Sequence, residues 1–276
     1  MGLKTEIASA APVQPAAKGM LRNITSRVKW GIGSVLVFLL SWEFVAALRL
    51  VDPQYISQPS HVAGAGIKLL VTGDFYYSAY ISLVELVTGF ILAVLVGVAL
   101  GLLMGHYRII GGLFDPMLMA LYATPRMAMI PLFVIWFGVG MGSKIFVVFI
   151  GALFPVLINT ITGIRQVDRI LIRAARSYGA TEWQLFTKVF LPGALPAILT
   201  GIRLGWGRGI LGVVIGEMYV AMAGLGYMIS TAGNAMQTDR LFFLILIVAG
   251  LGFLGTSAFQ RLEQKLTPYR EEQQGA

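Results

Sequence analysis

The chain has 276 residues, of which 57% are hydrophobic and only 12% are charged, a balance too apolar for a soluble domain of ordinary composition. It contains no cysteine, which excludes disulfides, thiolate metal sites and thiol nucleophiles. His61 and His106 are its only histidines, too few for a multi-histidine metal centre.

Stretches of about 20 apolar residues predict membrane-spanning helices. They lie at 31–50, 82–105, 117–138, 145–164, 195–220 and 241–260. The third is the weakest, because Pro125 and Pro131 interrupt it and Arg126 lies near its start. The pattern therefore predicts an all-α, polytopic transmembrane bundle of about six spans.

The parts between and beyond the spans are also predictable. Residues 1–28, rich in Ala, Pro and Gln at their start, are expected to form a disordered basic cytoplasmic tail. Residues 29–265 are expected to form the transmembrane domain, and 266–276 a cytoplasmic C-terminal tail. Between the first two spans, Pro59-Ser60 predicts the start of a short amphipathic helix near 60–71.

The basic residues indicate the orientation in the membrane. If the N-terminus is cytoplasmic, nearly all the lysines and arginines outside the spans fall on the cytoplasmic side. The exceptions are Arg49, Lys68, Lys144 and Arg240. This positive-inside bias predicts cytoplasmic N- and C-termini, and it explains the formal charge of +8 without a nucleic acid partner.

Two glycine series, in the second and fifth spans, predict close packing between helices. In each series the glycines are four residues apart, so they lie on one helix face, where a neighbouring helix can approach. The six glycines are Gly97, Gly101, Gly105, Gly201, Gly205 and Gly209.

Charged and aromatic residues within the spans are candidates for lining a translocation path. They are Arg126, Trp136, Arg208, Glu217 and Glu85. An arginine at a helix centre costs about 2.5–3.5 kcal/mol on insertion scales, so Arg208 is expected to face a partner or a wet cavity. For Arg126, snorkelling to the interface is an equal alternative, and Trp136 also fits an interfacial aromatic belt. Glu85 could pair with Arg208 or with Lys144.

The segment 165–192 is polar, basic and amphipathic, although it lies between two apolar spans. Gly179 is expected to divide it into two short helices, and Leu191-Pro192 to end the second helix before the fifth span. Ala174, Ala175 and Gly179 would leave a shallow surface for a partner. The alternative is an ordinary interfacial helix that binds lipid headgroups.

This segment contains the pattern A-A-x-x-x-G, nine residues, then V-x-L-P, which resembles the EAA loop of binding-protein-dependent ABC transporter permeases. Residues 123–138, and the segment 216–229 that contains Gly216-Glu-Met and Gly224-Leu-Gly-Tyr-Met-Ile, are similar to the sulfonate, nitrate and taurine branch of that family. The sequence departs from the family pattern at Arg173, where the family has Glu, and at Val189, where it has Ile.

The resemblance implies a type I importer permease (MetI-like) fold in a bacterial inner membrane. It implies a homodimer surrounded by lipid, two cytoplasmic ATP-binding subunits that carry ATP and Mg, an extracytoplasmic substrate-binding protein, and no cofactor or metal on this chain. The segment 165–192 would be the coupling helix that docks on the ATPase. The coupling residues would be Arg173, Ala174, Ala175, Gly179, Ala180, Thr181, Glu182, Val189, Leu191 and Pro192.

The resemblance also implies a small anionic substrate, with an aliphatic sulfonate or taurine first and nitrate second. Neutral heterocycles such as thiamine precursors and riboflavin remain open, because similar permeases carry them. In this kind of importer the binding protein largely sets specificity.

Other function classes lack their expected signals. The G-x-G-x-x-G at Gly207–Gly212 lies inside an apolar span, and the glycine run before Lys144 lacks a P-loop ending, so this chain is not expected to hydrolyse ATP. Catalytic clusters of carboxylates or histidines are also missing, which argues against an enzyme. The main alternative is a channel or a secondary transporter. A secondary transporter should show internal inverted repeats, or broken helices with buried acidic residues for coupling ions, whereas the acidic residues of these spans are expected to be few and peripheral.

Overall fold

The computed structural model describes residues 16–50, 52 and 54–267, with the backbone alone for residues 16–28. Regular structure within these residues is entirely helical. The α-helices are α1 (Ala16–Ala47), α2 (Pro59–Leu70), α3 (Gly73–His106), α4 (Arg108–Ala123), α5 (Ile130–Phe137), α6 (Met141–Arg165), α7 (Arg169–Ser177), α8 (Glu182–Leu185), α9 (Leu191–Val220), α10 (Leu225–Asn234) and α11 (Thr238–Leu266). A 3-10 turn (Arg126–Met129) precedes α5, and a π-helical turn (Phe186–Phe190) joins α8 to α9.

The chain divides into two compact units, residues 1–60 and 61–276. In the first, the Glu43 carboxylate of α1 accepts hydrogen bonds from the Ser60 N–H (3.0 Å) and Oγ (2.7 Å) at the start of α2. An acidic group suits this position because the first N–H groups of a helix have no intrahelical partner. Helix α2 thus begins where Pro59-Ser60 predicts.

The spans agree with the prediction, with one exception. Among the residues that the structure describes, five helices are long and apolar enough to cross a membrane: α1 from Lys29 onward, α3, α6, the continuous helix Glu182–Val220, and α11. The predicted span 117–138 is interrupted near its prolines, because α4 and the segment Arg126–Phe137 meet at a bend of 83°. If this bent pair counts as one span, the total is six.

The bend follows from the two prolines. Pro125 disfavours helical geometry in the residue before it, and Thr124 is accordingly extended, with ψ of 135°. Pro131 lies in the first turn of α5, where its missing N–H has no helical partner to lose. Pro125 therefore ends one helix, while Pro131 is compatible with starting the next.

A second prediction is also wrong, since Leu191-Pro192 does not end the helix that precedes α9. Helix α8, the π-helical turn and α9 run on as one helical segment, Glu182–Val220. The Leu191 N–H donates to the Phe186 carbonyl, a π-type bond five residues back. This change of hydrogen-bond register lets Pro192, which has no N–H, enter the first turn of α9 without breaking the helix.

Helix α1 begins at Ala16, inside the segment 1–28 that the sequence predicts as disordered. Ala, Lys, Met, Leu and Arg are frequent in residues 16–28 and favour helix, so the apolar span extends toward the N-terminus as helix. Residues 1–15 of the predicted N-terminal tail and 268–276 of the C-terminal tail lie outside the described residues.

Helix α6 packs between α3 and α9, and the glycines form both contacts. A Cβ at Gly101 of α3 would lie 2.5 Å from Thr160 Cβ, and one at Gly201 of α9 would lie 2.8 Å from Asn159 Cβ. Close approach to α6 also occurs at Gly97, Gly105 and Gly205, whereas Gly209 faces Leu86 of α3 first. Small side chains on two neighbouring helices thus set the spacing of the core.

Candidate functional site

The polar segment between α6 and α9 forms two short helices that meet at Gly179. The Asp168 carboxylate starts α7 by accepting from the Ile170 N–H at 2.7 Å. Gly179 has φ of +78°, a left-handed conformation common after helix ends because glycine has no Cβ to clash. The turn is closed by the Ala180 N–H, which donates to the Ala175 carbonyl at 3.1 Å.

Helix α8 is fixed on the far side of this turn by a capping box. Thr181 Oγ1 accepts from the Gln184 N–H at 3.3 Å, and the Gln184 side chain accepts from the Thr181 N–H at 2.9 Å. Arg176 and Glu182 form an ion pair of 3.0 Å across the turn, although both side chains are exposed and such pairs contribute little. The capping box is therefore the main local constraint on α8.

We expect Thr181→Ala to destabilise α8 by about 1 kcal/mol, because one N–H of its first turn loses its side-chain acceptor. Hydrogen exchange at the α8 amides should become faster. Thr187→Ala is the matched control, since the Thr187 hydroxyl donates to the Trp183 carbonyl within the helix and caps nothing. Equal exchange in both variants would show that the cap is not needed.

The surface of these two helices is unusually apolar for a polar loop. Helix α7 buries none of its residues, and Tyr178 and Trp183 are 93% and 73% exposed. Leu185 is fully buried and anchors α8 in the rest of the unit. The sequence analysis predicted a docking surface of small residues and missed these two aromatic residues. Large aromatic side chains in a polar segment close to Gly179 could have indicated an exposed binding surface.

The predicted coupling residues are distributed over this surface and its junction with α9. Arg173, Ala174, Gly179, Thr181, Glu182 and Pro192 are exposed, while Ala175, Ala180, Val189 and Leu191 are half-buried. His106, at the end of α3, packs edge-on against Phe186 and Phe190 of the π-helical turn, at centroid distances of 5.4 and 5.0 Å. The turn that joins the loop to α9 is therefore also in contact with α3.

A separate cavity of about 240 Å³ lies where the bend after α4 faces α6 and α9. It is lined by Arg126 and Arg208, with Phe133, Ile150 and Leu211 among its apolar wall residues. Two of the predicted path residues are thus brought to one cavity, although they are far apart in sequence. Trp136 does not line it and is 56% exposed.

The two arginines differ from the four basic side chains that form ion pairs within the described residues. Neither forms an ion pair with any carboxylate that the structure describes, and Arg126 Nη1 is buried without a hydrogen-bond acceptor. The Arg126 guanidinium lies over the rings of Tyr122 (5.3 Å) and Phe154 (5.0 Å). By contrast, Arg203 pairs with Glu263 at 3.3 Å.

The other two predicted path residues, Glu85 and Glu217, are fully buried between helices rather than on the wall of this cavity. The prediction that the acidic residues of the spans are peripheral is therefore wrong for these two, although each binds groups of its own protomer. Glu85 pairs with Lys144 of α6, which settles the choice between Lys144 and Arg208. It also places Lys144, predicted in an outer loop, inside a helix, where its ammonium group is buried with its partner.

Glu217 joins α9 to α10 and α3. Its Oε1 accepts from Ser82 Oγ and its Oε2 from the Gly226 N–H, both at 2.6 Å. Ser82 Oγ in turn accepts from the Leu225 N–H at 2.8 Å. A buried carboxylate in this position satisfies N–H groups in the first turn of α10.

The described residues contain no group of three or more His, Cys, Asp or Glu side chains that could hold a metal ion. The features that remain as functional candidates are the exposed α7–α8 surface and the arginine-lined cavity.

Residues 93–268 match the family described as "Binding-protein-dependent transport system inner membrane component". The chain is 34% identical to the taurine transport system permease protein TauC of Escherichia coli (strain K12), covering 91% of this chain and 93% of that protein. It is 35% identical to a protein of Bacillus subtilis (strain 168) named as an aliphatic sulfonates transport permease, SsuC, over 99% of this chain and 100% of that protein.

The fold is similar to that of a solved structure, an inward-facing conformation of the MetNI methionine ABC transporter. The TM-score is 0.60 at 20% sequence identity, and the match covers 72% of this chain and 96% of the MetNI chain. The fold, the family match and the two relatives agree with the resemblance found in the α7–α8 segment. The chain is a member of the binding-protein-dependent transport system inner membrane component family and has the permease fold of ABC importers.

Proposed function

We propose that this permease works as a homodimer that imports a small organic sulfonate, with two separate ATPase subunits beneath it and a soluble binding protein outside. The proposal of partners is supported by the family, whose members are components of binding-protein-dependent transport systems. The sulfonate is supported by the names of the two relatives, a taurine permease and an aliphatic sulfonates permease.

The single observation that carries the coupling proposal is the exposed surface of α7 and α8. Exposed aromatic residues such as Tyr178 and Trp183 are frequent anchors of protein interfaces. They surround a glycine turn and are flanked by Arg173 and Arg176. A lipid-bound interfacial helix would explain the basic charge. It would not explain why two short helices, joined by a glycine turn, expose aromatic side chains on a surface suited to protein binding.

Force at this surface has a continuous route into the membrane. Helix α8, the π-helical turn and α9 form one helical segment of 39 residues, so a displacement of α8 moves α9 directly. In the proposed cycle, ATP binding closes the ATPase dimer and carries both coupling segments inward. The spans then open toward the binding protein, and hydrolysis resets them.

The distribution of charge supports the proposed orientation of the chain and the proposed class of substrate. We place both termini in the cytoplasm of a bacterial cell, with the chain in its inner membrane, because basic residues are concentrated in the segments on that side. ATP and Mg belong to the ATPase subunits, and this chain needs no cofactor and catalyses no reaction. Among the substrates left open by the sequence, anions are favoured over neutral heterocycles because Arg126 and Arg208 line one cavity.

The test is co-purification and ATP-dependent uptake in proteoliposomes that contain the permease, its ATPase and its binding protein. Gly179→Glu and Trp183→Glu should each weaken ATPase binding by roughly tenfold or more, because both place a charge in the proposed interface. Sulfonate uptake should fall in parallel. Gly179→Glu also introduces backbone strain, because Gly179 has a positive φ. Trp183→Glu tests the interface without this strain.

Gly73→Glu is the matched control. Gly73 is also exposed, nothing lies within 4 Å of a Cβ built there, and it is at the start of α3, away from the α7–α8 segment. This variant should assemble and transport like the unaltered protein. Normal ATPase binding and uptake in both loop variants would refute the coupling assignment, and uptake without any ATPase would favour a channel or a secondary transporter.

A further inference from the structure

We propose that the cavity between Arg126 and Arg208 is a binding site for the sulfonate group during passage, and that it discriminates against sulfonates that carry an ammonium group. This inference rests on the proposed function and adds a point of selection inside the permease. Specificity would then be set twice, first by the binding protein and again in the membrane.

Two arginines lie in or beside the predicted spans without a carboxylate partner in the described part of the chain. Arg208 lies near the middle of α9 (Leu191–Val220), where its backbone meets α6 at Gly151, with a carbonyl 3.1 Å from a Cβ built on that glycine. Arginines at this depth are costly and are normally paired or face a water-filled path. Arg208 is exposed in the protomer and Arg126 is half-buried, and neither has a carboxylate partner among the described residues, so both are free to bind an anionic solute.

Arg126 is held in place by aromatic rings. Its guanidinium lies against the rings of Tyr122 and Phe154, which orients the group and leaves the hydrogen-bonding edge for a ligand. A planar guanidinium fork binds multi-oxygen anions in a bidentate manner.

The backbone beside Arg126 is not helical across the bend. The bend of 83° between α4 and the segment Arg126–Phe137 interrupts helical hydrogen bonding within the apolar region. Interrupted backbone is tolerated there only where it is buried in protein or lines a cavity, and broken helices often form solute sites in transporters. In this protein the break and the cavity coincide at Pro125 and Arg126.

Size and lining narrow the class of ligand. The volume of about 240 Å³ is below the range of about 300–1,000 Å³ that is usual for drug-sized ligands, so the solute is small. Phe133, Ile150 and Leu211 supply an apolar wall suited to a short alkyl chain. A simple alkanesulfonate fits both the charge and the wall.

The proposed discrimination against aminosulfonates follows from the lack of a carboxylate in the cavity lining among the described residues. No carboxylate lines the cavity among the described residues, and both nearby candidates, Glu85 and Glu217, already bind groups of their own protomer. The ammonium group of an aminosulfonate such as taurine would therefore find two like charges and no counterion. The relative named for aliphatic sulfonates is thus the better guide to this cavity than the relative named for taurine.

The experiment is equilibrium binding of radiolabelled ethanesulfonate and taurine to the purified permease–ATPase complex without binding protein. Ethanesulfonate should bind saturably, and taurine should bind at least about tenfold more weakly. Arg208→Gln and Arg126→Gln should each weaken ethanesulfonate binding by roughly tenfold to a hundredfold, since each removes a charged hydrogen-bond donor. Arg208→Lys should retain part of the affinity, because charge remains while the fork is lost.

Arg261→Gln, which removes an exposed arginine of α11, is the matched control and should bind like the unaltered complex. Thermal unfolding and ATPase co-purification show which variants fold, and Arg208→Lys carries the test if Arg208→Gln does not. Unchanged affinity in the folded cavity variants would overturn the site. Equal affinity for taurine would overturn the discrimination.

Failure of the proposed function has a different signature. If the full system with binding protein moves no sulfonate although ethanesulfonate binds in an Arg208-dependent manner, the function fails and the site stands. If ATP-dependent sulfonate uptake is normal in the folded cavity variants, the function stands and the site fails.

Discussion

Glu217→Ala is expected to destabilise the second unit by about 3 kcal/mol or more, the largest loss that a single polar substitution should cause in this protein. The change leaves the Gly226 N–H without its acceptor and Ser82 without one partner, and each buried unsatisfied group costs about 1–3 kcal/mol. It also leaves a void, since Glu217 is fully buried. Thermal unfolding in detergent should show a clearly lower midpoint.

Two control variants distinguish loss of the Glu217 hydrogen bonds from the loss of any carboxylate charge. Glu217→Gln keeps the shape and one acceptor oxygen, so we expect it to lose less stability than Glu217→Ala. Asp74→Asn removes an exposed carboxylate from the first turn of α3 and should change stability by no more than about 1 kcal/mol. A midpoint for Glu217→Ala equal to that of Asp74→Asn would mean that the network does not stabilise the fold.

Gly201→Leu should be nearly as damaging, because the substituted side chain has no space beside α6. A Cβ at this position would lie 2.8 Å from Asn159 Cβ, 3.0 Å from the Pro155 carbonyl oxygen and 3.2 Å from Val156 Cα. Two of these are backbone atoms, so rotamer changes cannot relieve the overlap and the helices must separate. We expect a loss of about 3 kcal/mol, the upper part of the usual range for overpacking.

Gly207→Leu is the matched control on the same helix. Nothing lies within 4 Å of a Cβ built at Gly207, and replacing glycine removes a residue that is unfavourable in helices by about 1 kcal/mol. Thermal unfolding of the two variants side by side should show a large loss only for Gly201→Leu. Similar losses in both would indicate that helix packing against α6 does not depend on the glycine face.

The elements that could be predicted from the sequence are those whose signal is local. Long apolar runs predicted α3, α6, α9 and α11, because a membrane requires about 20 consecutive apolar residues whatever the packing. Gly179 predicted the turn between α7 and α8, because few other residues adopt φ near +78° at low cost. Glycine spacing likewise predicted which helix faces pack closely, although not that both series face α6.

The errors occurred where two local signals compete. Pro125 and Pro131 both weaken a helix, and only the structure shows that Pro125 ends α4 while Pro131 lies in the first turn of α5. Pro192 predicted the end of a helix. The π-type bond from the Leu191 N–H to the Phe186 carbonyl instead allows the helix to continue through this proline. A proline determines which hydrogen bond is absent, whereas neighbouring segments determine whether the chain turns or continues.

The sequence by itself determined the membrane architecture, the family and the position of the proposed coupling segment, because apolar length, glycine spacing and a short motif are each contained in consecutive residues. Only the tertiary structure decided which charges meet. It paired Glu85 with Lys144, placed Glu217 against the first turn of α10, and left Arg126 and Arg208 together at one cavity without a carboxylate. Electrostatic partners are chosen by distance in space, and residues from different helices come within that distance only when the helices pack.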